Sequence, residues 1–69
     1  MQEAERNIHI KPYLAMRSVV LAQHIIHSGD TVRATAEIFG LSKSTVHRTI
    51  TTILPQVNPE LAEKVGKVS

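Results

Sequence analysis

Apolar side chains recur at helical spacing in four segments of the chain, and residue types that break helices separate these segments. In residues 12–27 the apolar positions fall at i, i+7, i+8 and i+11, which form one broad stripe on a helix. They are Leu14, Leu21, Ala22 and Ile25, with Ala15, Val19 and Ile26 beside them. The residues expected on the opposite side are Tyr13, Arg17 and His24. Pro12 suits the first helical turn and Gly29 a left-handed cap, so both ends of this helix are marked.

Two shorter helices are predicted next, at residues 32–39 and 43–54. Asp30 or Thr31 can cap the first of them, and Ser42 can cap the second. The positions predicted to face inward are Val32, Thr35, Ala36 and Phe39, then Val46, Ile50, Ile53 and Leu54. Gly40 is expected to end the first helix. Pro55 is expected to end the second, because the residue before a proline avoids helical geometry.

A fourth helix is predicted at residues 59–68, with Asn58 as its cap and Pro59 in its first position. Its predicted inward positions are Leu61, Ala62, Val65 and Val68. No segment of any length alternates with the period of two that a half-buried strand requires. The sequence therefore predicts an all-α, four-helix domain. We expect residues 1–69 to form this one domain and residues 1–10 to be a flexible N-terminal tail.

Composition excludes several kinds of site. Because the chain has only 69 residues, its core is marginal in size. Because it has no cysteine, neither a disulfide nor a cysteine-based zinc site can support that core. Of the four histidines, only His24 and His27 share a helix face, and no acid is expected beside them. We therefore expect no metal, no cofactor, no catalytic residues and no enzyme activity. The apolar stretches are a few residues long, too short for a membrane helix.

The second and third predicted helices are joined by the turn Gly40-Leu41-Ser42, which predicts a helix-turn-helix motif. Ala36 is small, as a close crossing of two helices requires. Gly40 permits a sharp left-handed exit from the second helix, and Leu41 is expected to fill the corner between the helices. Val46 is expected to anchor the third helix to the second.

The outward face of the third helix combines hydroxyl and basic side chains and has no acid. It comprises Ser44, Thr45, Arg48, Thr51 and Thr52, with His47 on its flank and Lys43 at its start. A solvated face without a function normally mixes Glu with Lys. The observed composition suits the major groove of DNA, which is lined by acceptors and flanked by phosphates.

We predict a DNA-binding set from this face and the helix before it. Contacts at or near base edges are expected from Lys43, Ser44, His47 and Arg48. Thr51 is one turn further along, within reach of a phosphate or a thymine methyl group. Arg33, Thr31 and the helix start at Ser42 are candidates for phosphate contacts. The complete set is Thr31, Arg33, Ser42, Lys43, Ser44, Thr45, His47, Arg48 and Thr51. The alternative for Lys43 and the threonines of this helix is an ordinary solvated role. We interpret Arg17, Lys11 and Lys64 as ordinary surface charges, with a position near DNA as the alternative for each.

These residues together resemble the stage III sporulation protein D family of small bacterial transcriptional regulators. The similar positions are Tyr13-Leu14, Arg17, Thr31-Val32-Arg33, Ala36, Phe39-Gly40, the run from Ser42 to His47, Leu54-Pro55, Asn58-Pro59 and Leu61-Ala62. The resemblance implies a sequence-specific DNA-binding protein that activates some sporulation genes and represses others in the mother-cell cytoplasm. It places the recognition helix at residues 42–51.

The resemblance also implies a basic segment after the fourth helix, whereas the last ten residues here contain only Lys64 and Lys67 as bases. Either the chain is truncated or this relative lacks the segment, so we expect weak binding to double-stranded DNA with a shallow salt dependence. Two alternatives stay open. One is a protein-interaction module that docks on RNA polymerase or another regulator, and the other is the DNA-binding fragment of a recombinase or transposase. The oligomeric state, a monomer or a weak dimer, also stays open.

Overall fold

The computed structural model describes residues 10–68, and this part of the chain is helical without any strand. The elements are α1 (Pro12–Ser28), α2 (Val32–Phe39), α3 (Lys43–Arg48), a π-helical segment (Thr49–Ile53), α4 (Leu54–Val57) and α5 (Pro59–Val68). Because α3, the π-helical segment and α4 are continuous, residues 10–68 form four helical stretches. The prediction of an all-α, four-helix fold is confirmed. The predicted tail at residues 1–10 lies, apart from Ile10, outside the described residues.

The ends of α1 and α2 lie where the sequence predicts them, within one residue. Pro12 occupies the first turn of α1, and Gly29 ends it with a φ of 74°. Thr31, rather than Asp30, caps α2, because its Oγ1 accepts a hydrogen bond from the backbone N–H of Ala34 at 3.0 Å. Gly40 ends α2 with a φ of 68°, in the left-handed region that glycine adopts without strain.

Side-chain caps also begin α3 and α5. The Ser42 Oγ accepts from the backbone N–H of Thr45 at 3.1 Å. The Asn58 Oδ1 accepts from the backbone N–H of Leu61 at 3.0 Å, and Pro59 takes the first position of α5, where its missing N–H costs nothing. These caps satisfy backbone donors that have no partner within their own helix.

The prediction that Pro55 ends the third helix is wrong. Leu54 retains helical geometry (φ −56°, ψ −43°), and the helical stretch continues through α4 until the extended backbone of Asn58. The Leu54 N–H donates to the carbonyl of Thr49, five residues earlier, as in a π-helix. In a regular α-helix the ring of Pro55 would clash with the carbonyl four residues before it. The wider turn just before the proline gives the ring room.

The core consists of two adjoining clusters that pack α1 against the other helices. One cluster joins α1, α4 and α5 and comprises Ala22, Ile25, Leu54 and Val65. The other joins α1, α2 and α3 and comprises Leu21, Ala36 and Val46. Ile50 packs against both clusters, so it links the two halves of the core. Each fully buried Leu, Ile or Val side chain contributes roughly 1.5–3 kcal/mol to folding.

The burial pattern departs from prediction at several positions. Ser18 and Thr49 are buried, and each hydroxyl donates to a carbonyl of its own helical stretch, Ser18 to Ala15 and Thr49 to Thr45, both at 2.7 Å. This internal bond lets a small polar residue occupy a core position. Val68, predicted to face inward, is 43% exposed at the last turn of α5. Arg17 and His24 are half-buried, although both are predicted on the side of α1 opposite the apolar stripe.

No helix within residues 10–68 is both long and apolar enough to cross a membrane.

Candidate nucleic-acid interface

A tight turn sets the direction of α3 relative to α2. The Leu41 N–H donates to the Ala36 carbonyl at 2.9 Å, and the Gly40 N–H approaches the Glu37 carbonyl at 3.4 Å. The side chain of Leu41 is partly buried against the cluster that contains Ala36 and Val46. The small residue, the glycine and the apolar corner residue thus hold the positions predicted for them.

The solvent-facing surface of α3 and the π-helical segment carries most of the predicted contact residues. The exposed members are Lys43, Ser44, His47, Arg48, Thr51 and Thr52. Residues 43–53 contain no carboxylate. Lys43 and Arg48 form no ion pair with any residue of the described range 10–68. We call these six residues the acid-free face.

Four predicted hydroxyl groups from residue 42 onward are engaged in local structure, and one of them is the Ser44 Oγ, which lies 3.3 Å from the Ser42 Oγ. The Ser42 Oγ caps α3 and also donates to the Thr45 Oγ1 at 2.8 Å. Thr45 itself is only partly exposed. The Thr51 Oγ1 donates to the His47 carbonyl at 2.8 Å, so its hydroxyl proton is used while its methyl group remains on the surface. These contacts orient the side chains, and they reduce the number of free donors on the face.

The remaining predicted residues lie on α2. Arg33 is exposed and has no ion-pair partner among the described residues. Thr31 is exposed too, but its hydroxyl is the N-cap of α2. Arg33 lies in the first turn of α2, and Thr31 lies at the position just before it. Free backbone N–H groups at such a helix start favour an anion.

The acid-free face is flanked by a groove on each side. The groove toward α5 has a volume of about 400 Å³ and is mainly apolar, with lining residues Val32, His47, Ile50, Thr51, Pro55, Ala62, Val65 and Gly66. The groove toward α1 has a volume of about 270 Å³ and is lined by Leu14, Arg17, Thr45, Arg48, Thr49 and Ile53. Arg48 therefore belongs to the acid-free face and also lines the groove toward α1.

Sequence reasoning missed the position of Arg17, which was interpreted as an ordinary surface charge. Arg17 is three residues after Leu14 and four before Leu21, so helical spacing places it on the same stripe as both. This spacing was the available signal. Because apolar residues alone define the stripe, Arg17 is predicted on the opposite side of the helix, whereas the structure has it half-buried.

A polar cluster connects the end of α1 with α2. The His24 Nε2 and the Asp30 Oδ2 are 2.8 Å apart, and the His24 ring packs edge-on against Phe39 with centroids 5.4 Å apart. The expectation that no acid lies beside His24 is therefore wrong, because the turn at Gly29 folds Asp30 back onto the helix. No group of three or more potential metal ligands occurs within residues 10–68.

Comparison with known proteins assigns the chain to a family. A sequence model described as stage III sporulation protein D matches residues 11–69. Stage III sporulation protein D of Bacillus subtilis (strain 168) is 41% identical to the chain over 56 residues, which cover 81% of this chain and 60% of that relative. The chain thus matches about three fifths of the length of this curated relative. No solved structure matches it. The family match and the 41% identity show that the chain belongs to the stage III sporulation protein D family.

Proposed function

We propose that the chain is a sequence-specific DNA-binding regulator of sporulation genes that inserts α3 into the major groove as part of a helix-turn-helix. The observation that carries the proposal is the acid-free face, which follows directly after the tight turn at Gly40. Membership of a sporulation protein family supports the same conclusion. The proposed action is binding, with activation of some genes and repression of others in the cytoplasm of the mother cell.

Base recognition is assigned to α3, the six residues that begin the helical stretch ending at Val57. Arg48 and Lys43 can donate to the O6 and N7 acceptors of guanine, the commonest specific contact in the major groove. His47 and Ser44 lie on the same exposed surface and offer shorter polar groups. Early residues of a recognition helix reach base edges in helix-turn-helix complexes, which fits this order along the chain.

Orientation on the duplex is assigned to phosphate contacts around the turn. Arg33 supplies a full positive charge, and the starts of α2 and α3, at Thr31 and Ser42, supply backbone N–H groups. The Thr45 and Thr51 side chains lie beside these contacts and add hydroxyl and methyl surface. A single module of this kind buries about 600–1,000 Å² of protein surface on DNA.

The experiment that tests the proposal is selection from a random-sequence duplex pool, followed by sequencing of the bound fraction. Fluorescence anisotropy on the selected duplex at two salt concentrations completes it. We expect a consensus of several base pairs and weaker binding at the higher salt concentration. No enrichment, together with no binding at low salt, would refute the proposal.

A second candidate function is protein interaction, and one observation favours it. Three apolar residues on α1 are exposed, namely Tyr13 at 63%, Met16 at 68% and Val20 at 45%. Their spacing of three and four residues places them on one side of the helix. A second copy of the chain on this surface would raise the mass measured by sedimentation as the concentration rises. A monomer at high concentration would count against self-association.

A further inference from the structure

Arg17 is held in an unusual position for an arginine on α1. The residue is partly buried, and its Nε is closed to solvent and has no hydrogen-bond partner among residues 10–68. Buried donors in native proteins are nearly always paired with protein, water or a bound ion. An arginine also remains charged at every pH at which proteins are folded. Within residues 10–68 the charged Arg17 side chain therefore has a donor without an acceptor.

Among the described residues that line the groove beside Arg17, one carries a second positive charge and none carries a negative charge. Arg17 lines the groove toward α1 together with Arg48, and the other lining residues are two threonines and two apolar residues. The hydroxyl of one of them, Thr49, already donates to the Thr45 carbonyl. Two guanidinium groups beside one groove repel each other unless an anion lies between them.

The groove suits a small anion at the surface better than an enclosed ligand. Its volume of about 270 Å³ lies below the roughly 300–1,000 Å³ of ordinary small-molecule pockets. Guanidinium groups bind phosphate oxygens with paired N–H donors, and they lose less hydration than an ammonium group when they do so. The groove also borders the acid-free face, because Arg48 belongs to both.

We propose that Arg17 binds a phosphate of the DNA backbone at the edge of the groove, beside the base-reading surface of α3. This inference rests on the proposed function, and it adds a contact from α1 to those assigned to α2 and α3. A phosphate at this position would accept from the terminal N–H groups of the partly exposed Arg17 guanidinium, because the buried Nε itself is closed to an external oxygen. It would also offset the repulsion between the guanidinium groups of Arg17 and Arg48.

The test compares the salt dependence of binding to the selected duplex for the wild-type protein and the variants Arg17→Gln, Arg17→Lys and Lys64→Gln. Lys64 is the matched control, because it is exposed on α5 and its loss removes the same charge. For Arg17→Gln we expect roughly tenfold weaker binding at low salt. For this variant we expect the slope of log affinity against log salt concentration to be shallower by about 0.9. The factor by which it binds more weakly than the wild-type protein therefore shrinks by about 3.5-fold between 50 and 200 mM salt.

The two other variants and the base preferences sharpen the test. Arg17→Lys should keep most of the salt slope and lose only part of the affinity, because it retains the charge without the paired donors. Lys64→Gln should match the wild-type slope. The consensus selected by Arg17→Gln should equal that of the wild-type protein, since a phosphate contact carries no sequence information.

A measurement on the wild-type protein makes the test independent of how the variants fold. The Nε–H resonance of Arg17 should shift when the selected duplex is added in an NMR titration. An unmoved resonance, a wild-type slope in Arg17→Gln, or an equal loss of slope in Lys64→Gln would overturn the inference while leaving the proposed function intact. Absence of wild-type binding at every salt concentration would overturn both.

Discussion

The backbone N–H of Leu41 donates to the carbonyl of Ala36 at 2.9 Å, across a glycine in the left-handed conformation. This bond ends α2 and turns the chain into α3 within three residues. It therefore positions the acid-free face relative to the rest of the domain. The direction of the recognition surface depends on one residue, Gly40, that has no side chain.

Replacement of Gly40 by alanine is expected to lower the free energy of unfolding by about 1–2 kcal/mol. A Cβ at this position meets no atom within 4 Å, so the cost comes from the left-handed backbone alone. The matched control is Gly66→Ala within α5, where a Cβ also meets nothing. There alanine should raise stability by about 0.5–1 kcal/mol, because helical glycine is unfavourable. Urea unfolding of both variants measures the two changes in the free energy of unfolding. Changes of the same sign would contradict the role given to the left-handed backbone of Gly40.

Leu54 and Val68 should differ sharply in their contribution to stability. Leu54 is fully buried, whereas Val68 is 43% exposed. Truncation of Leu54 to alanine is expected to cost about 2–5 kcal/mol, through lost burial and the cavity left behind. Val68→Ala should change stability by less than about 0.5 kcal/mol. Thermal unfolding followed by circular dichroism compares them, and a large loss in Val68→Ala would place that residue in the core.

The two roles assigned to Thr31 can be separated by substitution. Thr31→Ala removes the cap of α2 and should cost about 1 kcal/mol of stability. Thr31→Asp keeps a capping oxygen and should retain the stability, but it adds a negative charge where a phosphate is proposed. Chemical unfolding and anisotropy on the selected duplex measure the two effects. Undiminished DNA binding by the aspartate variant would remove Thr31 from the interface.

Arg33→Ala is expected to weaken DNA binding by a similar factor on every duplex sequence. The reason is that a phosphate contact positions the protein without reading bases. The salt slope should become shallower by about 0.9, and the selected consensus should not change. Titrations on the selected duplex and on a scrambled duplex provide the comparison. A loss confined to the selected duplex would instead make Arg33 a base-reading residue.

Local sequence signals predict the helix ends well because each depends on a few neighbouring residues. Gly29 and Gly40 adopt the left-handed caps expected of them, and Thr31 and Ser42 cap the helices that follow. The prediction for Pro55 fails because it rests on a preference of the residue before a proline, and Leu54 keeps helical φ and ψ despite that preference. To predict a π-helical turn, one has to know how the whole helical stretch packs.

Contacts between elements are harder to predict from one sequence. The pair formed by His24 and Asp30 depends on how the turn at Gly29 folds back, which spacing alone does not specify. Arg17 comes beside Arg48 only because α1 packs along the helical stretch that contains α3. The members of the acid-free face were predictable, since they share one exposed side of one helix.

Sequence reading by the acid-free face is tested by comparing the DNA consensus that Arg48→Ala selects with the one that the wild-type protein selects. Lys64→Ala serves as the charge control. We expect the wild-type protein to select a consensus and Lys64→Ala to select the same one. Arg48→Ala should bind about 1–3 kcal/mol more weakly and lose its preference at one or two positions. An unchanged consensus and affinity in Arg48→Ala, or no consensus for the wild-type protein, would show that this face does not read DNA sequence.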